Sequence, residues 1–261
     1  MKSNLVFTLL VQFFFLISYA QEAVYVNYLF TQKTEINNIQ LEQNLYATRD
    51  RARLDLIPPN LSIKKPEINE NEEGMIEVIL PDDNKYGVTS YFSKRQENRI
   101  FMRGNRNNKQ HIVLDDFKMF SWDITSETKK IHGLNAILAK TSFRGRSYNA
   151  WFTTEIPIPF GPWKFRGLPG LILEIEDTDK LFSWRMTAIE VLKQMPENIF
   201  SQTPTLDMVD QTLEEFNIEI GRRIKTREQE ITSKLPRGSS IVESKKLSNA
   251  IELEYEWEEE K

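Results

Sequence analysis

The sequence contains no cysteine and only two histidines among its 261 residues. Without cysteine there is no disulfide framework, no thiol nucleophile and no cysteine-ligated zinc or iron–sulfur site. The histidines, His111 and His132, leave little material for a metal site or a histidine-based catalytic triad. The motifs of P-loop nucleotide-binding proteins, zinc metalloproteases and α/β-hydrolases are also absent. The sequence therefore predicts no catalytic residues, no metal site and no cofactor.

An excess of positive charge is missing as well. The sequence has 38 Asp+Glu against 34 Lys+Arg, a net charge of −4, and an isoelectric point near 5.5. Proteins that bind nucleic acid concentrate positive charge to displace the counterions of the phosphate backbone, so we expect no nucleic-acid partner. Hydrophobic residues at 40% and aromatic residues at 11% are sufficient for a packed core.

Long apolar runs are missing except at the N-terminus. Residues 1–20 have the parts of a signal peptide: Lys2, an apolar stretch over 5–17, and a small-residue cleavage site ending at Ala20. We expect one mature domain, residues 21–261, without a transmembrane segment; the alternative is an uncleaved membrane anchor. An exported chain without cysteine favours a bacterial envelope, where it is periplasmic, outer-membrane-associated or secreted.

Short β-branched and aromatic runs separated by turn residues predict strands along most of the chain. Their near-regular spacing after Ile131, without helices between them, indicates an antiparallel meander. The proline-containing segment 50–74 is predicted to be an irregular insertion, and strict alternation over 251–257 predicts a terminal strand. The predicted fold class is mainly β, with a half-barrel or sandwich-like sheet and one long helix.

The predicted helix lies between Pro204 and Leu235, where apolar residues recur at three- and four-residue spacing. Thr205 is the expected N-cap, and Pro236 with Gly238 marks the end. The opposite face is charged, so we expect an amphipathic helix that packs on the sheet and exposes its charged face.

The most unusual segment is 143–176, where Pro157, Pro159 and Pro162 exclude a helix and impose extended backbone. Within Leu168-Pro-Gly-Leu171, proline and glycine occupy the central positions of a type II turn, which requires a positive φ at the glycine. The sequence thus predicts a stiff, aromatic-rich loop between two strands.

Candidate binding residues cluster in and around this loop. Aromatic rings beside arginine and lysine suit a carboxylate, a sugar or a peptide terminus; the alternative is that the rings pack the sheet and the cations pair locally. A further alternative, a carboxylate-dependent hydrolase using Glu155 and Glu174, is less favoured because nothing singles out these two acids. The candidates are Trp151, Glu155, Trp163, Lys164, Arg166, Arg144 and Arg146.

Two other segments suggest contacts with partners. The alternating tail either completes the sheet or adds as a strand to a partner's sheet edge through Ile251, Leu253, Tyr255 and Trp257. The stretch 94–109 has six cations and one anion, so it is either a basic hairpin tip that contacts anionic groups or a solvated loop.

The run AWFTTEIPIPFGPWKFRGLPGLILEIED resembles the GLPGLI family of exported Bacteroidota proteins, named after the hexapeptide found here at 167–172. Weaker similarity covers 120–124, 131–133 and 249–253. The family commonly has a cysteine where this chain has Ala136, so a thiol role is absent here. The family has no established activity, and the resemblance therefore implies no catalytic residues.

What the resemblance implies is a compartment and a lineage. It favours a non-catalytic binding or accessory protein of the periplasm or outer membrane, with a TonB-dependent outer-membrane transporter or another envelope protein as partner. The alternative is a carrier of an apolar or amphiphilic small ligand, or of a peptide, inside a half-barrel. That alternative rests on analogy with periplasmic lipoprotein-carrier folds.

Overall fold

The computed structural model describes residues 23–33, 38–57, 67–70, 76–79, 88–106, 109–234 and 250–258. The predicted signal peptide lies outside these residues. The strands are β1 (Ala23–Lys33), β2 (Asn38–Ala47), β3 (Arg51–Ile57), β4 (Glu67–Glu70), β5 (Ile76–Ile79), β6 (Val88–Lys94), β7 (Arg99–Arg106), β8 (Lys109–Asp116), β9 (Asp123–Ile131), β10 (Leu134–Phe143), β11 (Arg146–Thr153), β12 (Leu171–Asp177), β13 (Phe182–Leu192) and β14 (Gln211–Thr212). The helix α1 is Leu213–Lys234, and 3-10 turns lie at Leu206–Met208 and Glu256–Glu258.

Within the described ranges, twelve strands form one sheet in the order β14-β8-β7-β6-β3-β2-β1-β13-β12-β11-β10-β9. Neighbours are antiparallel except β14 and β8, and β4 pairs with β5 in a separate hairpin. Strands β9 to β13 follow one another as the predicted meander. The sheet is open, because β9 at one edge and β14 at the other do not pair. The predicted mainly β, antiparallel class is confirmed.

Strand β1 connects the two parts of the sheet. It pairs with β2 on one side and with β13 on the other, where Ala23 lies opposite Leu192 and Gln32 opposite Phe182. Alternate β1 residues are buried, as expected for a strand at the centre of a sheet. The beginning of the described chain therefore completes a sheet whose other half lies far away in sequence.

The prediction of an irregular insertion over 50–74 was wrong at its start. Residues Arg51–Ile57 form β3, which pairs with β2 and β6. The sequence pattern of this strand is a short alternation in which Ala52 and Leu54 are buried. The prolines that follow it favoured the interpretation of the whole segment as a loop. Residues 58–66 and 71–74 lie outside the described residues.

The predicted helix exists, but it begins at Leu213 rather than after Thr205. The N-cap is Thr212, whose hydroxyl accepts a hydrogen bond from the Glu215 N–H at 3.3 Å, while the Glu215 carboxylate accepts one from the Thr212 N–H at 2.8 Å. This capping box satisfies two amides that a helix start leaves unpaired. Thr205 instead precedes a 3-10 turn. Leu213 is buried against the sheet, and Ile218 is 45% exposed.

The predicted terminal strand was wrong. Residues 250–258, here called the C-terminal segment, run without strand structure and end in a 3-10 turn. The backbone amides of Leu253 and Glu254 both donate to the Arg144 carbonyl, at 2.9 and 3.4 Å, so no strand ladder forms. The strand interpretation placed the acidic side chains in solvent, whereas Glu252 is largely buried against Arg144 and Glu256 also binds Arg144.

The core is divided between the two faces of the sheet, and β12 contributes to both. Ile172 packs into a cluster rich in aromatic rings, and Leu173 packs into a mainly aliphatic one. The loop 154–170 supplies side chains to both clusters, Ile158 to the aliphatic cluster and Phe165 to the aromatic cluster. This loop therefore packs against both core clusters.

Candidate functional site

The turn between β10 and β11 positions the first functional cation. Arg144 and Gly145 have φ values of 44° and 79°, the signature of a two-residue hairpin turn that normally favours Asn-Gly. Arg144 is only 7% exposed, and its guanidinium donates to Asp115 at 2.8 and 3.1 Å, to Glu252 at 2.5 Å and to Glu256 at 2.9 Å. A strained backbone thus aims one buried cation at three carboxylates.

The second cation comes from the aromatic loop. Lys164 follows Trp163, which also has a positive φ, 52°, in a turn closed by the Phe165 N–H donating to the Pro162 carbonyl. Its ammonium lies 2.6 Å from an Asp115 oxygen and 2.7 Å from a Glu252 oxygen. Lys164 and Arg144 therefore share the same two carboxylates.

These contacts determine the ionisation of the buried acid. Burial alone would raise the pKa of Asp115, but the charges and hydrogen bonds of Lys164 and Arg144 outweigh it and lower the pKa below its ordinary value. For Arg144, burial acts to lower the pKa, and the hydrogen bonds and charges of Asp115 and Glu252 raise it overall. Asp115 and Arg144 are therefore both ionised at neutral pH.

The third cation binds main chain. Arg146 donates to the Ala250 carbonyl through Nε at 3.0 Å and Nη2 at 2.8 Å, and its Nη1 lies 3.2 Å from Asp177. The Tyr148 hydroxyl donates to the Ile251 carbonyl at 3.2 Å. Side chains on β11 thereby hold the backbone at the start of the C-terminal segment.

Together these residues form a surface that we call the tail groove: Arg144, Gly145, Arg146, Tyr148 and Lys164. It holds the C-terminal segment by its carboxylates, by its carbonyls and by close contact. A Cβ atom at Gly145 would lie 2.9 Å from the Leu253 Cβ. In the segment, the rings of Tyr255 and Trp257 stack at 4.5 Å, and the Arg144 guanidinium lies 5.1 and 5.7 Å from them.

The groove brings together two predicted sets that the sequence had left separate. Three predicted binding cations contact the segment predicted as a partner strand, so the cations pair within the chain. Trp163 lies in the aromatic core, stacked on Trp184 at 5.9 Å. The alternative in which the cations pair locally and this ring packs the sheet therefore describes these four residues.

Two other candidates lie apart from the groove and have their own contacts. Glu155 accepts hydrogen bonds from the Asn135 amide and side chain, both at 2.8 Å. Trp151 is covered by Lys129 at 4.4 Å, and this lysine pairs with Glu174 at 2.6 Å. The two acids of the hydrolase alternative thus bind different partners.

Arg166 is the remaining predicted cation, and its hydrogen-bond partners are backbone carbonyls. It is 1% exposed and donates to the carbonyls of Glu97 at 2.6 Å and Arg99 at 3.3 Å. Its Nε has no hydrogen-bond partner, and among the described residues no carboxylate forms an ion pair with it. Burial lowers the pKa of Arg166 to about 10. The loop therefore buries a positive charge without a directly paired anion.

Beside Arg166 the loop borders an open cleft of about 530 Å3, here called the loop cleft. Arg49 and Arg95 also line it, and none of the described residues that line it is acidic. Sequence reasoning missed Arg49, which has no local signal because it lies in the turn before β3. Arg95 belongs to the basic stretch that the sequence singles out.

The prediction of a basic hairpin tip stays untested, because residues 107–108 of that stretch lie outside the described residues. Lys94 pairs with Glu97 at 2.8 Å. Arg103 is buried and donates to Gln202. The side chain of Arg106 lies outside the described residues.

The part of the chain with assigned coordinates contains no cluster of three or more acidic or histidine side chains placed to hold a metal ion. Across the same part, no helix combines the length and the apolar character needed to cross a membrane.

Comparisons with known proteins give limited similarity. No curated protein matches the chain. Two solved structures of PNGF-II resemble it, one in space group C2 with a TM-score of 0.47 and 16% identity, the other in P21 with 0.49 and 17%. They cover 73% and 75% of this chain, which spans 30% and 32% of theirs, about a third of their length. TM-scores below 0.5 assign no function.

One family model matches part of the chain. It is described as a protein of unknown function, Porph_ging, and the match covers residues 143–174. That range contains all seven predicted binding residues, from Arg144 to Arg166. It also contains the whole loop that separates β11 from β12.

Proposed function

We propose that the chain is a member of the GLPGLI family and acts as an exported, non-catalytic binding protein of the bacterial envelope. Its partner is an envelope protein, in our proposal a TonB-dependent outer-membrane transporter, that presents an acidic, aromatic peptide segment to the tail groove. The hexapeptide at 167–172 and the family match over 143–174 support the family assignment.

A single observation carries the binding function: the groove already holds a peptide segment. Arg144 and Lys164 bind the side chain of Glu252, and Arg146 binds the Ala250 carbonyl. Backbone contacts give affinity and side-chain contacts give selectivity, as in other modes of peptide recognition. The C-terminal segment therefore shows which chemistry the groove accepts.

The charge of the groove explains why it selects an acidic segment. Among the described residues, removal of the segment leaves Asp115 as the one carboxylate that pairs with Arg144 and Lys164, so one buried positive charge is in excess. Burying an uncompensated charge is costly, so a carboxylate is required there. A partner segment with a glutamate in place of Glu252 provides the same compensation.

A partner's segment must displace the chain's own C-terminal segment from the tail groove, and the effective concentration of the tethered segment limits this exchange. A segment tethered to its own site is present at an effective concentration in the millimolar range, so a partner competes poorly against an intact segment. Weakening the internal contacts should therefore increase capture of the partner. This sets the design of the test.

The test compares the mature chain with a Glu252→Gln/Glu256→Gln variant, after brief crosslinking in the native host and mass spectrometry. We expect the variant to capture more of one outer-membrane transporter. The control, Glu190→Gln/Glu197→Gln, removes two exposed carboxylates that do not contact the groove. Equal capture by all three proteins would contradict the proposal.

The alternative of a ligand carried inside the sheet gains no support from the structure. In the described residues the aromatic cluster fills that space, with Trp163, Phe165 and Trp184 in mutual ring contact at 5.0 to 5.9 Å. A small ligand would need a different location.

A further inference from the structure

We propose that the loop cleft is a second binding site, which takes a small amphiphilic anion. Its oxyanion group, a carboxylate or a phosphate, binds at the arginine side of the cleft. Its apolar part lies against the proline-rich loop. This proposal does not depend on peptide recognition by the tail groove.

The size and shape of the cleft suit such a ligand. Its volume of about 530 Å3 lies within the range of roughly 300–1,000 Å3 that small-molecule sites occupy. It is open to solvent on one side, so a ligand can enter without a rearrangement of the sheet. The loop and the β2–β3 turn form its two sides.

The charged residues that line the cleft determine the sign of the charge on its ligand. Arg49, Arg95 and Arg166 line the cleft, and within the described residues none of the lining side chains is acidic. Glu97, the acid closest in sequence to Arg95, pairs with Lys94 at 2.8 Å. Three guanidinium groups around one opening attract an oxyanion, which arginine binds in a bidentate geometry.

Two of these arginines have distinct roles. Arg166 is buried and donates to the carbonyls of Glu97 and Arg99, so it acts on a ligand through its charge, which the nearby charges of Asp115 and Glu97 offset in part. Arg95 is exposed, and its backbone N–H donates to the Asp50 carbonyl at 2.8 Å. That bond holds the backbone at Arg95 against the β2–β3 turn, and the exposed Arg95 side chain is the one that we expect to contact the oxyanion.

The opposite wall is apolar and stiff. Pro157, Pro169 and Met119 contribute to it. The Gly167 N–H donates to the Pro159 carbonyl at 3.0 Å, and this bond closes the loop on itself. A preformed wall loses little conformational entropy when a ligand binds, which favours affinity.

The experiment titrates the mature chain with decanoate and decyl phosphate by calorimetry, with decanol and acetate as comparison ligands. We expect at least one of the two amphiphilic anions to bind ten times more tightly than decanol or acetate. The stronger of the two distinguishes a carboxylate ligand from a phosphate ligand. Equal binding of decanol, or no binding of either anion, would overturn the proposal.

Variants locate the site. Arg95→Ala should weaken binding at least tenfold, whereas Arg185→Ala, which removes an exposed arginine that does not line the cleft, should leave it unchanged. Met119→Ser should reduce decanoate binding and leave acetate unaffected. A Glu252→Gln/Glu256→Gln variant should bind like the parent; equal losses in this variant and in Arg95→Ala would place the ligand elsewhere and overturn the proposal.

Discussion

Arg144 occupies a backbone conformation that few side chains adopt. At φ 44° a non-glycine residue costs about 1–2 kcal/mol relative to an ordinary conformation. The strain persists because the same turn aims the guanidinium at Asp115 and Glu252, two carboxylates that Lys164 alone would otherwise have to pair. Trp163 also has a positive φ, 52°, and the turn that contains it places the next residue, Lys164, against the same two carboxylates. Strain of this kind concentrates where a structure must place a particular group.

Gly145 offers a test of how tightly the C-terminal segment is held. Gly145→Ala introduces a Cβ 2.9 Å from the Leu253 Cβ at a φ of 79°, so we expect a loss of about 2–3 kcal/mol in the free energy of unfolding. Gly133→Ala is the matched control, with a φ of 85° and no atom within 4 Å, and should lose about 1 kcal/mol. Urea unfolding measures both; equal losses would show that contact with the segment contributes nothing.

Asp115 should make the free energy of unfolding depend on pH. Its pKa is lower in the folded protein than its ordinary value of 3.8, so its contribution is present above that value and is lost as the pH falls through the folded pKa. Asp115→Asn should cost about 3 kcal/mol at pH 7, because Arg144 and Lys164 lose a shared anion.

Urea unfolding at several pH values would check this expectation. The difference in stability between the parent and Asp115→Asn should narrow below about pH 4. Asp123→Asn, at an exposed position, should follow the parent at every pH. A constant difference between the parent and Asp115→Asn would mean that the carboxylate is not ionised in the folded protein.

At the scale of elements, helix α1 allows a paired test of capping and propensity. Thr212→Ala removes the side chain that caps the helix and should cost about 1 kcal/mol. Gly221→Ala, where a Cβ would meet nothing within 4 Å, should stabilise the protein by about 0.5–1 kcal/mol. Circular dichroism at 222 nm during urea unfolding reports both, and a loss for Gly221→Ala would contradict the exposed helix described here.

The sequence predicted elements well where periodicity was long. The meander and the existence of α1 follow from repeated patterns, but their limits depend on contacts that a pattern does not contain. The N-cap is Thr212 and not the predicted Thr205, because Glu215 completes a capping box with Thr212. The sequence of the C-terminal segment alternates like that of a strand, but the segment forms no strand, because Arg144 and Lys164 bind its Glu252 side chain.

In the loop 154–170, the sequence also identified a special glycine without giving the reason that the structure requires it. The predicted type II turn was wrong, because the positive φ in this stretch, 96°, is at Gly167 and not at Gly170. Gly170 is needed for a different reason, since a Cβ there would lie 1.9 Å from the Thr153 carbonyl oxygen. A local motif identified the glycine, but the contact that requires it comes from another strand. Likewise, the sequence analysis identified the three cations of the tail groove but not their buried acidic partners, which are Asp115 for Arg144 and Lys164 and Asp177 for Arg146.

At the scale of the whole molecule, the C-terminal segment stabilises the sheet end that carries three buried cations. A chain ending at residue 249 leaves Arg144 and Lys164 short of anions, and we expect a loss of at least about 3–5 kcal/mol. A chain ending at residue 258 retains every described contact of the segment and should match the parent. Urea midpoints of the two truncated chains provide the comparison.

Adding the missing segment as a peptide extends this test. A synthetic peptide of residues 250–258 should raise the thermal midpoint of the chain ending at residue 249, because a ligand that binds the folded state stabilises it by mass action. A scrambled peptide of the same composition should not. Failure of the native peptide to stabilise the shortened chain would count against the groove as a peptide site.

The position of β1 bears on how the molecule is made. A chain emerges from the ribosome N-terminus first, at roughly 5–20 residues per second, so β1 appears early and β13 late. Until Phe182–Leu192 is available, one edge of β1 lacks its native neighbour and exposes unpaired amides and carbonyls. The central sheet therefore cannot be completed during most of synthesis, and a nascent chain of this protein remains open to chaperones until its second half has emerged.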